Sequence, residues 1–315
     1  MSSKKLNVDI VIPVFNEDGV VEHTHKRIRD VVDSRAYEIH FIYVDDGSRD
    51  GTVDTLRRIG TADPRVSVLQ LSRNFGHQAA LTAGMDASTG EAIITMDGDG
   101  QHPAEMIPQM LDLVVQGYDV VQTQRMDEAQ PASFKKWTSG LFYRLINVIS
   151  GTQVLPGTAD FRALSRQAVD ALKSMPEYHR FLRGMVSWIG YKTIILPYQP
   201  GDRISGVSKY SLGKMIRLAM DAIFSFSLVP LYIGLTFGAL LFCIAGLEMA
   251  YVLSFWVTGH TSNLAPGWSS LMFVILIVGG MLMALLGFIG VYIGYIFQEV
   301  KRRPAYLVKE EKRDA

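Results

Sequence analysis

Residues 93–103 read IITMDGDGQHP, an apolar, strand-forming run that ends in two carboxylates separated by one glycine. Successive side chains on a strand point to opposite faces, so we expect Asp97 and Asp99 to share a face at the strand's carboxyl end. Open α/β sheets bind their ligands at that edge. Carboxylate oxygens there suit Mg²⁺ or Mn²⁺ that also carries phosphate oxygens. The stretch therefore predicts a metal site for a nucleotide diphosphate.

Two other kinds of acidic motif can be compared with this stretch. A calcium-binding EF-hand loop that began at Asp97 would need glycine at its sixth position and glutamate at its twelfth. Those positions hold His102 and Pro108, which excludes the EF-hand. Phosphatases of the haloacid dehalogenase type also use an Asp-x-Asp-Gly turn, but on their first strand, whereas strand-like runs precede this one. That phosphatase and a plain solvated acidic turn stay open as weaker alternatives.

The chain before residue 200 alternates between strand and helix patterns. Such alternation predicts an α/β fold, with a Rossmann-like, mostly parallel sheet and helices on both faces. The predicted strands cover residues 8–14, 39–45, 66–71, 92–97 and 119–124, and the predicted helices cover residues 20–32, 52–60, 77–87 and 104–115.

Polar residues follow each predicted strand. The run IPVFNE, residues 12–17, ends the first strand, and DDGS, residues 45–48, ends the second. Paired carboxylates at Asp45 and Asp46 can accept hydrogen bonds from a base N–H and a ribose hydroxyl. The third strand ends in SRNFGH, residues 72–77. Neither the glycine fingerprint of dinucleotide folds nor a phosphate-loop lysine motif occurs in the sequence.

Charge and cysteine content exclude some classes of protein. Lysine and arginine number 31, as do aspartate and glutamate, so the formal net charge is +0 and nothing indicates a nucleic-acid partner. The single cysteine, Cys243, excludes an internal disulfide.

Two long apolar runs predict a membrane domain. Residues 229–257 contain one charged residue, Glu248, and residues 269–297 contain none. Each run exceeds the roughly 20 residues that a helix needs to cross the hydrocarbon core, so we predict two transmembrane helices. The loop between them lacks lysine and arginine, while basic residues flank both runs, which predicts a multi-pass protein with both termini in the cytoplasm. Residues 212–224 carry an apolar stripe and basic residues, as in a helix lying on the membrane surface or packed on the soluble domain.

Five motifs together resemble those of family 2 glycosyltransferases of GT-A fold, in the polyprenyl-phosphate branch. That branch includes dolichyl-phosphate mannose synthases and bactoprenol (undecaprenyl-phosphate) glucosyltransferases. The resemblance runs from about residue 8 to residue 303, and LFYRLIN and FSFSL favour the glucosyl members. The motifs are IPVFNE (12–17), DDGS (45–48), DGDGQHP (97–103), TADFR (158–162) and RISGVSKY (203–210).

The resemblance implies a role for each matching residue. Asp160, the base in relatives that glycosylate hydroxyls, would here bind the sugar or orient Arg162 in preference to acting as a base. The residues implied to bind the base and ribose are Pro13, Asn16, Glu17, Asp45 and Asp46, and Asp97 would lie beside the nucleotide and the metal. The implied metal ligands are Asp99 and Gln101, and the implied pyrophosphate-binding residues are Arg203, Ser208 and Lys209. The residues implied to bind the lipid phosphate or the sugar are Arg125, Lys135, Arg144 and Arg162.

The implied reaction is inverting transfer of a sugar, glucose from UDP-glucose, to undecaprenyl phosphate at the cytoplasmic membrane face. The product would be a lipid-linked sugar for cell-surface glycosylation such as that of O-antigen in lipopolysaccharide. A lipid phosphate is already anionic, so it needs little general-base help. The metal, with Arg203 or Lys209, would stabilise the leaving diphosphate.

Several alternatives stay open. The donor could instead be GDP-mannose, UDP-N-acetylglucosamine or UDP-aminoarabinose. A processive polysaccharide synthase is disfavoured because the chain lacks a Gln-x-x-Arg-Trp motif. A membrane-anchored nucleotide-sugar binder without activity is the non-enzymatic alternative. The predicted organisation is a GT-A catalytic domain (1–210), a juxtamembrane helix (211–228), two membrane helices (229–300) and a cytoplasmic tail (301–315), assembled as a homotetramer through helix glycines.

Overall fold

A computed structural model describes residues 5–33, 37–126, 158–178, 180–199, 229–259 and 267–312. The chain forms two compact units. Met1–Met215 and Arg303–Ala315 make up the first, and Ile216–Arg302 make up the second.

Within the described residues, the first unit is built around an eight-stranded sheet with the strand order β7-β5-β6-β4-β1-β2-β3-β8. Only β6 and β8 run against the others, so the sheet is mostly parallel. The strands are β1 Leu6–Val14, β2 Tyr37–Asp45, β3 Val66–Leu71, β4 Ala92–Thr95, β5 Val120–Arg125, β6 Thr158–Ser165, β7 Thr193–Tyr198 and β8 Val308–Lys312.

Helices connect the strands and cover the sheet. The two at the end of the series belong to the second unit. The helices are α1 Asp18–Val32, α2 Thr52–Ala62, α3 His77–Ala87, α4 Ile107–Val115, α5 Arg166–Lys173, α6 Leu182–Trp188, α7 Val229–Thr258 and α8 Trp268–Val300, and a short 3₁₀ turn, Ala104–Met106, precedes α4.

The centre of the sheet is buried on both faces. Residues 8–14 of β1 and all four residues of β4 are buried. Continuous apolar strands of this kind are typical of parallel sheets covered on both sides. On α1, Val21, Ile28 and Val32 lie at helical spacing and pack into the same core. The predicted alternation through β5 is confirmed.

The strand that leads to the acidic turn is shorter than predicted. β4 ends at Thr95, so Asp97 and Asp99 lie in the turn after it, and their placement does not come from strand alternation as we expected. In this turn Gly98 packs directly on β1. A Cβ atom at Gly98 would lie 2.6 Å from Cγ1 of Val14, so only glycine fits without rearrangement.

The chain's last described strand joins the sheet edge. β8 pairs antiparallel with β3, and the N–H of Ser72 donates to the carbonyl of Leu307 at 2.8 Å. Arg57 also pairs with Glu310 of β8 at 2.9 Å. The segment predicted as a cytoplasmic tail therefore contributes a strand to the first unit.

Helices form over both apolar runs of the second unit. Within the described residues, one stretch, Ile277–Val300, is long and apolar enough to cross a membrane, with a mean hydropathy of 2.1. The apolar stretch found in α7, Gly234–Ile244, is shorter than a membrane span. The second predicted span is therefore not confirmed and stays a prediction. The predicted surface helix, 212–224, lies outside the described residues.

Candidate active site

Helix α1 holds the main chain of the acidic turn after β4. The hydroxyl of Thr24 donates to the carbonyl of Gly98 at 3.3 Å. The guanidinium of Arg27 donates to the carbonyl of Gly100 at 3.1 Å. Both contacts join residues more than 70 positions apart, so tertiary packing fixes the shape of this turn.

Asp99 and Gln101 face each other within the turn. The main-chain N–H of Gln101 donates to Oδ1 of Asp99 at 3.1 Å, and its side-chain amide donates to Oδ2 at 2.7 Å. The structure thus brings together the two residues for which the resemblance implies metal ligation.

Asp97 has one satisfied and one unsatisfied oxygen. Nε2 of His102 lies 3.1 Å from Oδ2. Oδ1 is buried and makes no hydrogen bond within the described part of the chain, although Nε2 of His77 lies 3.4 Å away. Burial opposes ionisation of Asp97, but the His77 charge and the His102 hydrogen bond hold its pKa below the ordinary value. Oδ1 thus has a cationic neighbour in His77 but makes no hydrogen bond within the described chain, and an ionised oxygen of this kind can also bind a metal cation.

Asp160 on β6 is surrounded by donors from three elements. Its side chain is 4% exposed and pairs with its strand neighbour Arg162. Arg183 of α6 contributes two N–H groups, at 3.0 and 3.3 Å, and the amide of Gln78 lies 3.4 Å away. Burial opposes ionisation, yet the charge of Arg183 and the His77 hydrogen bond lead the effects that hold the Asp160 pKa well below its ordinary value. A carboxylate with so little affinity for protons is a poor general base.

His77 lies between the buried carboxylate of Asp160 and the partly exposed carboxylate of Asp97. Its Nε2 is 3.4 Å from Asp97 and 3.5 Å from Asp160. Burial lowers the pKa of His77, but the charge of Asp97 and the hydrogen bond and charge of Asp160 outweigh it and raise the pKa to about 9. The imidazole is therefore a cation at neutral pH. This cation joins the turn after β4 to the start of β6.

The loops after β1, β2 and β3 are tied together by residues predicted to bind the nucleotide. Asp45 accepts from the N–H of Ser48. Asp46 accepts from the N–H groups of Phe75 and Gly76, at 2.7 and 3.0 Å, and burial raises its pKa. Asn16, with a φ of 54°, accepts from the N–H of Arg49. These side chains shape the edge of the sheet, and their contacts with a nucleotide stay predictions.

Comparison with known proteins identifies the family. The sequence pattern described as "Glycosyl transferase family 2" matches residues 9–173, just over half of the chain.

The chain belongs to glycosyltransferase family 2.

Full-length relatives agree with this assignment. A "Prophage bactoprenol glucosyl transferase homolog" of Escherichia coli K12 is 36% identical over 315 residues, covering 98% of this chain and 100% of the relative. The "Bactoprenol glucosyl transferase" of Shigella phage SfV is 35% identical, covering 98% and 99%. An uncharacterised Bacillus subtilis glycosyltransferase, YkcC, is 39% identical, covering 98% and 95%. The resemblance inferred from the motifs is confirmed.

A solved structure is also similar. Glucosyl-3-phosphoglycerate synthase of Mycobacterium tuberculosis matches with a TM-score of 0.49 and 18% identity, covering 70% of this chain and 80% of that one.

Some of the glycosyltransferase's other predicted site residues lie within the described part of the chain, and others do not. Arg125 ends β5 and lies in register with Tyr198 at one side of the turn. Arg162 is 2% exposed and is occupied by Asp160, so direct contact with a lipid phosphate would require its exposure and stays a prediction. Pro13 and Glu17 lie at the end of β1 and before α1. The remaining predicted residues, Lys135, Arg144, Arg203, Ser208 and Lys209, lie outside the described residues.

Sequence reasoning assigned no role to four residues that line this glycosyltransferase site. His77 and His102 lie inside motifs that the sequence singled out, and a titratable side chain just after a strand was the available signal. Arg183 lies in α6, outside the five motifs, and Tyr198 ends β7, five residues before RISGVSKY. Their roles depend on contacts that sequence spacing does not reveal.

Proposed function

We propose that this family 2 glycosyltransferase transfers glucose from UDP-glucose to a polyprenyl phosphate, with undecaprenyl phosphate as the best candidate, and inverts the anomeric configuration. The product would supply glucose for cell-surface glycosylation. Relatives that match over nearly their whole length and are named bactoprenol glucosyl transferase support this acceptor. The same names support glucose as the transferred sugar, and UDP as its carrier is proposed from the motif resemblance.

The observation that carries the proposal is that the described acid–base groups around the turn are already paired with one another. His77 lies between Asp97 and Asp160, and both ring nitrogens of His102 are within hydrogen-bond distance of other side chains. Asp97 and Asp160 have lowered pKa values, and His77 is protonated at neutral pH. General bases work best with a pKa near the operating pH. A hydroxyl acceptor would need such a base. A phosphate monoester is already an anion at neutral pH and attacks without losing a proton.

We infer that a divalent cation, Mg²⁺ or Mn²⁺, binds at the turn. Oδ1 of Asp97 supplies an ionised oxygen that makes no hydrogen bond within the described chain, although His77 lies 3.4 Å from it. Asp99 and Gln101 supply further oxygens. Oxygen ligands of this type suit both ions. When bound, the cation would stabilise charge on the departing nucleoside diphosphate.

The chain's own residues would then hold the reactants. An oxygen of the lipid phosphate would attack the anomeric carbon while the bond from that carbon to the UDP oxygen breaks, so no proton needs to move. Arg203, Ser208 and Lys209 are proposed to cover the diphosphate, and Arg125, Lys135 and Arg144 the acceptor. Asp160, held ionised by Arg183, is proposed to accept a hydrogen bond from a sugar hydroxyl.

Chain connectivity supports a two-span topology. β8 follows α8 in sequence and pairs with β3, and both strands belong to the first unit. The segment from β7 to β8 therefore leaves that unit and returns to it, and so crosses a bilayer an even number of times or not at all. If Ile277–Val300 crosses, α7 is the candidate for the return crossing. The charge distribution then favours the cytoplasmic face for both termini.

Cysteine labelling tests this topology. After replacement of the only native cysteine by Cys243→Ala, Asn263→Cys should react with a membrane-impermeant maleimide in intact cells. Ala305→Cys should react only after the membrane is opened. Labelling of both positions from the same side would contradict two crossings.

Assembly as a homotetramer also stays a prediction. Gly279, Gly280, Gly287 and Gly290 of α8 have no atom within 4 Å of an added Cβ within the described part of this chain. That open space is compatible with close approach of a second helix.

A transfer assay tests the reaction. Purified protein in detergent would receive undecaprenyl phosphate, Mg²⁺ and a panel of radiolabelled nucleotide sugars. Label passing from UDP-glucose into the organic phase, and its loss in Asp99→Ala but not in Glu310→Gln, is the expected result. Transfer from a different donor would replace glucose as the sugar. Release of soluble sugar alone would indicate hydrolysis, and nucleotide binding without turnover would favour the non-enzymatic binder.

A further inference from the structure

A histidine and a tyrosine stand behind Asp97 in a hydrogen-bonded chain. Nε2 of His102 lies 3.1 Å from Oδ2 of Asp97. The hydroxyl of Tyr198, 96 residues further on, lies 3.2 Å from Nδ1 of His102. His102 and Tyr198 are each 6% exposed. Phe161 stacks on the imidazole with ring centroids 4.9 Å apart and an interplanar angle of 28°, which restricts rotation of the ring.

Donor and acceptor rules assign the protons in this chain. An ionised carboxylate only accepts hydrogen bonds, so Nε2 of His102 carries a hydrogen and donates to Asp97. The tautomer with its hydrogen on Nε2 leaves Nδ1 as an acceptor, and in that tautomer the Tyr198 hydroxyl donates to Nδ1. One tautomer satisfies both bonds, and the tyrosine hydroxyl selects that tautomer.

This arrangement decides which oxygen of Asp97 is available. With Oδ2 bound to His102, Oδ1 is the oxygen left without a hydrogen bond within the described chain, and it faces His77. If the imidazole lost its orientation, the carboxylate could rotate and exchange its two oxygens. Hydrogen bonds from outside the ligand shell commonly orient metal-binding groups in this way.

We propose that Tyr198 and His102 are positioning residues that orient Asp97 toward a divalent cation, a role that rests on the metal site of the proposed function. Tyr198 acts through His102 and not through direct contact with the ion. The substitution Tyr198→Phe removes one oxygen and keeps the aromatic ring against Phe161.

Tyr43 provides a matched control. Its buried hydroxyl lies 3.0 Å from Nδ1 of another buried histidine, His25, whose imidazole lies beside Asp63 and Phe41. Tyr43→Phe therefore removes the same group from the same kind of pair at a different place in the same domain.

Direct measurement of Mn²⁺ binding tests the proposal. The full-length protein in detergent, with UDP present, would be titrated with Mn²⁺ and the free ion followed by electron paramagnetic resonance. We expect Tyr198→Phe to weaken Mn²⁺ binding about tenfold and His102→Ala by up to about 100-fold, the range seen for such outer partners. His102→Gln, whose amide can replace the Nε2 donor, should retain part of the affinity. Adding Tyr198→Phe to His102→Ala should not weaken Mn²⁺ binding any further.

Each contrary outcome has its own meaning. Unchanged Mn²⁺ affinity in Tyr198→Phe, with a wild type that binds the ion, would overturn this inference and leave the proposed function intact. An equal loss in Tyr43→Phe would also overturn it, because the effect would then be general destabilisation. A wild type that binds UDP but no Mn²⁺ would overturn the metal site and this inference with it. Should His102→Ala fail to fold, Tyr198→Phe and His102→Gln decide the question.

Discussion

Arg183 donates two hydrogen bonds to the carboxylate of Asp160, from a helix that begins 22 residues later in the chain, at Leu182. Arg162 pairs with the same carboxylate from the neighbouring position on its own strand. Asp160 is thus the point at which β6, α6 and the start of α3 are joined. Its surroundings distinguish a positioning role from a role as a base.

Replacement of Arg183 should therefore have opposite effects under the two roles. Arg183→Met removes the leading cation that lowers the Asp160 pKa, so that pKa should rise. If Asp160 positions the sugar, transfer should fall at least about tenfold, as expected for loss of a well-oriented contact. A general base would become stronger, and transfer would increase. The measurement is kcat and KM at pH 7.5, with Arg183→Lys as the charge-conserving control.

Replacement of Asp160 by asparagine should destabilise the catalytic unit. The side chains of Asp160 and Arg162 are 4% and 3% exposed, so Asp160→Asn leaves a buried cation without its counter-ion. Breaking a buried ion pair in this way typically costs about 3–5 kcal/mol. Chemical denaturation of the purified protein gives the value. The double variant Asp160→Asn with Arg162→Met should recover part of the loss, and failure to recover any would contradict the pairing.

The charge of His77 should make stability depend on pH. Its pKa is about 9 in the folded chain, above the ordinary value of 6.5. A raised pKa means that its stabilisation is complete below about pH 6.5 and is lost as the pH rises through 9. The wild type should therefore lose stability across this interval. Thermal unfolding of wild type and His77→Gln at several pH values is the test. The unfolding temperature of the variant should fall less than that of the wild type as the pH rises from 6.5 to 9. Parallel plots of unfolding temperature against pH for the two proteins would contradict the raised pKa of His77.

Removal of the C-terminal strand β8 should destabilise the first unit and promote its aggregation. A chain ending at Arg303 lacks β8, which uncovers the main-chain edge of β3 and removes the bond from Tyr306 to Asp86 at 2.9 Å. Uncovered strand edges promote aggregation, so we expect a lower unfolding temperature and larger particles by light scattering. Glu310→Gln is the control. It breaks only the half-exposed pair with Arg57, which is worth at most about 1 kcal/mol. Equal behaviour of the truncated and full-length chains would show that β8 does not stabilise the domain.

Much of the architecture follows from local sequence patterns. The buried runs of β1 to β3, and the turn residues after them, were sufficient to predict the alternation of strands and helices. The contact between Asp99 and Gln101 could also be predicted from the sequence, because two residues of one turn cannot lie far apart. The strand β8 could not be predicted, since its sequence VKEEK is polar and its place in the sheet comes from main-chain hydrogen bonds to β3.

The sequence by itself determined the α/β class, the acidic turn and the family of this glycosyltransferase, because each depends on residue types at short spacing. Only the tertiary structure decided that Arg183 holds Asp160, that His77 bridges two carboxylates and that Tyr198 reaches His102. Those contacts join residues from 20 to nearly 100 positions apart. They arise from strand order and helix packing, and no local pattern of side chains records where distant strands and helices meet.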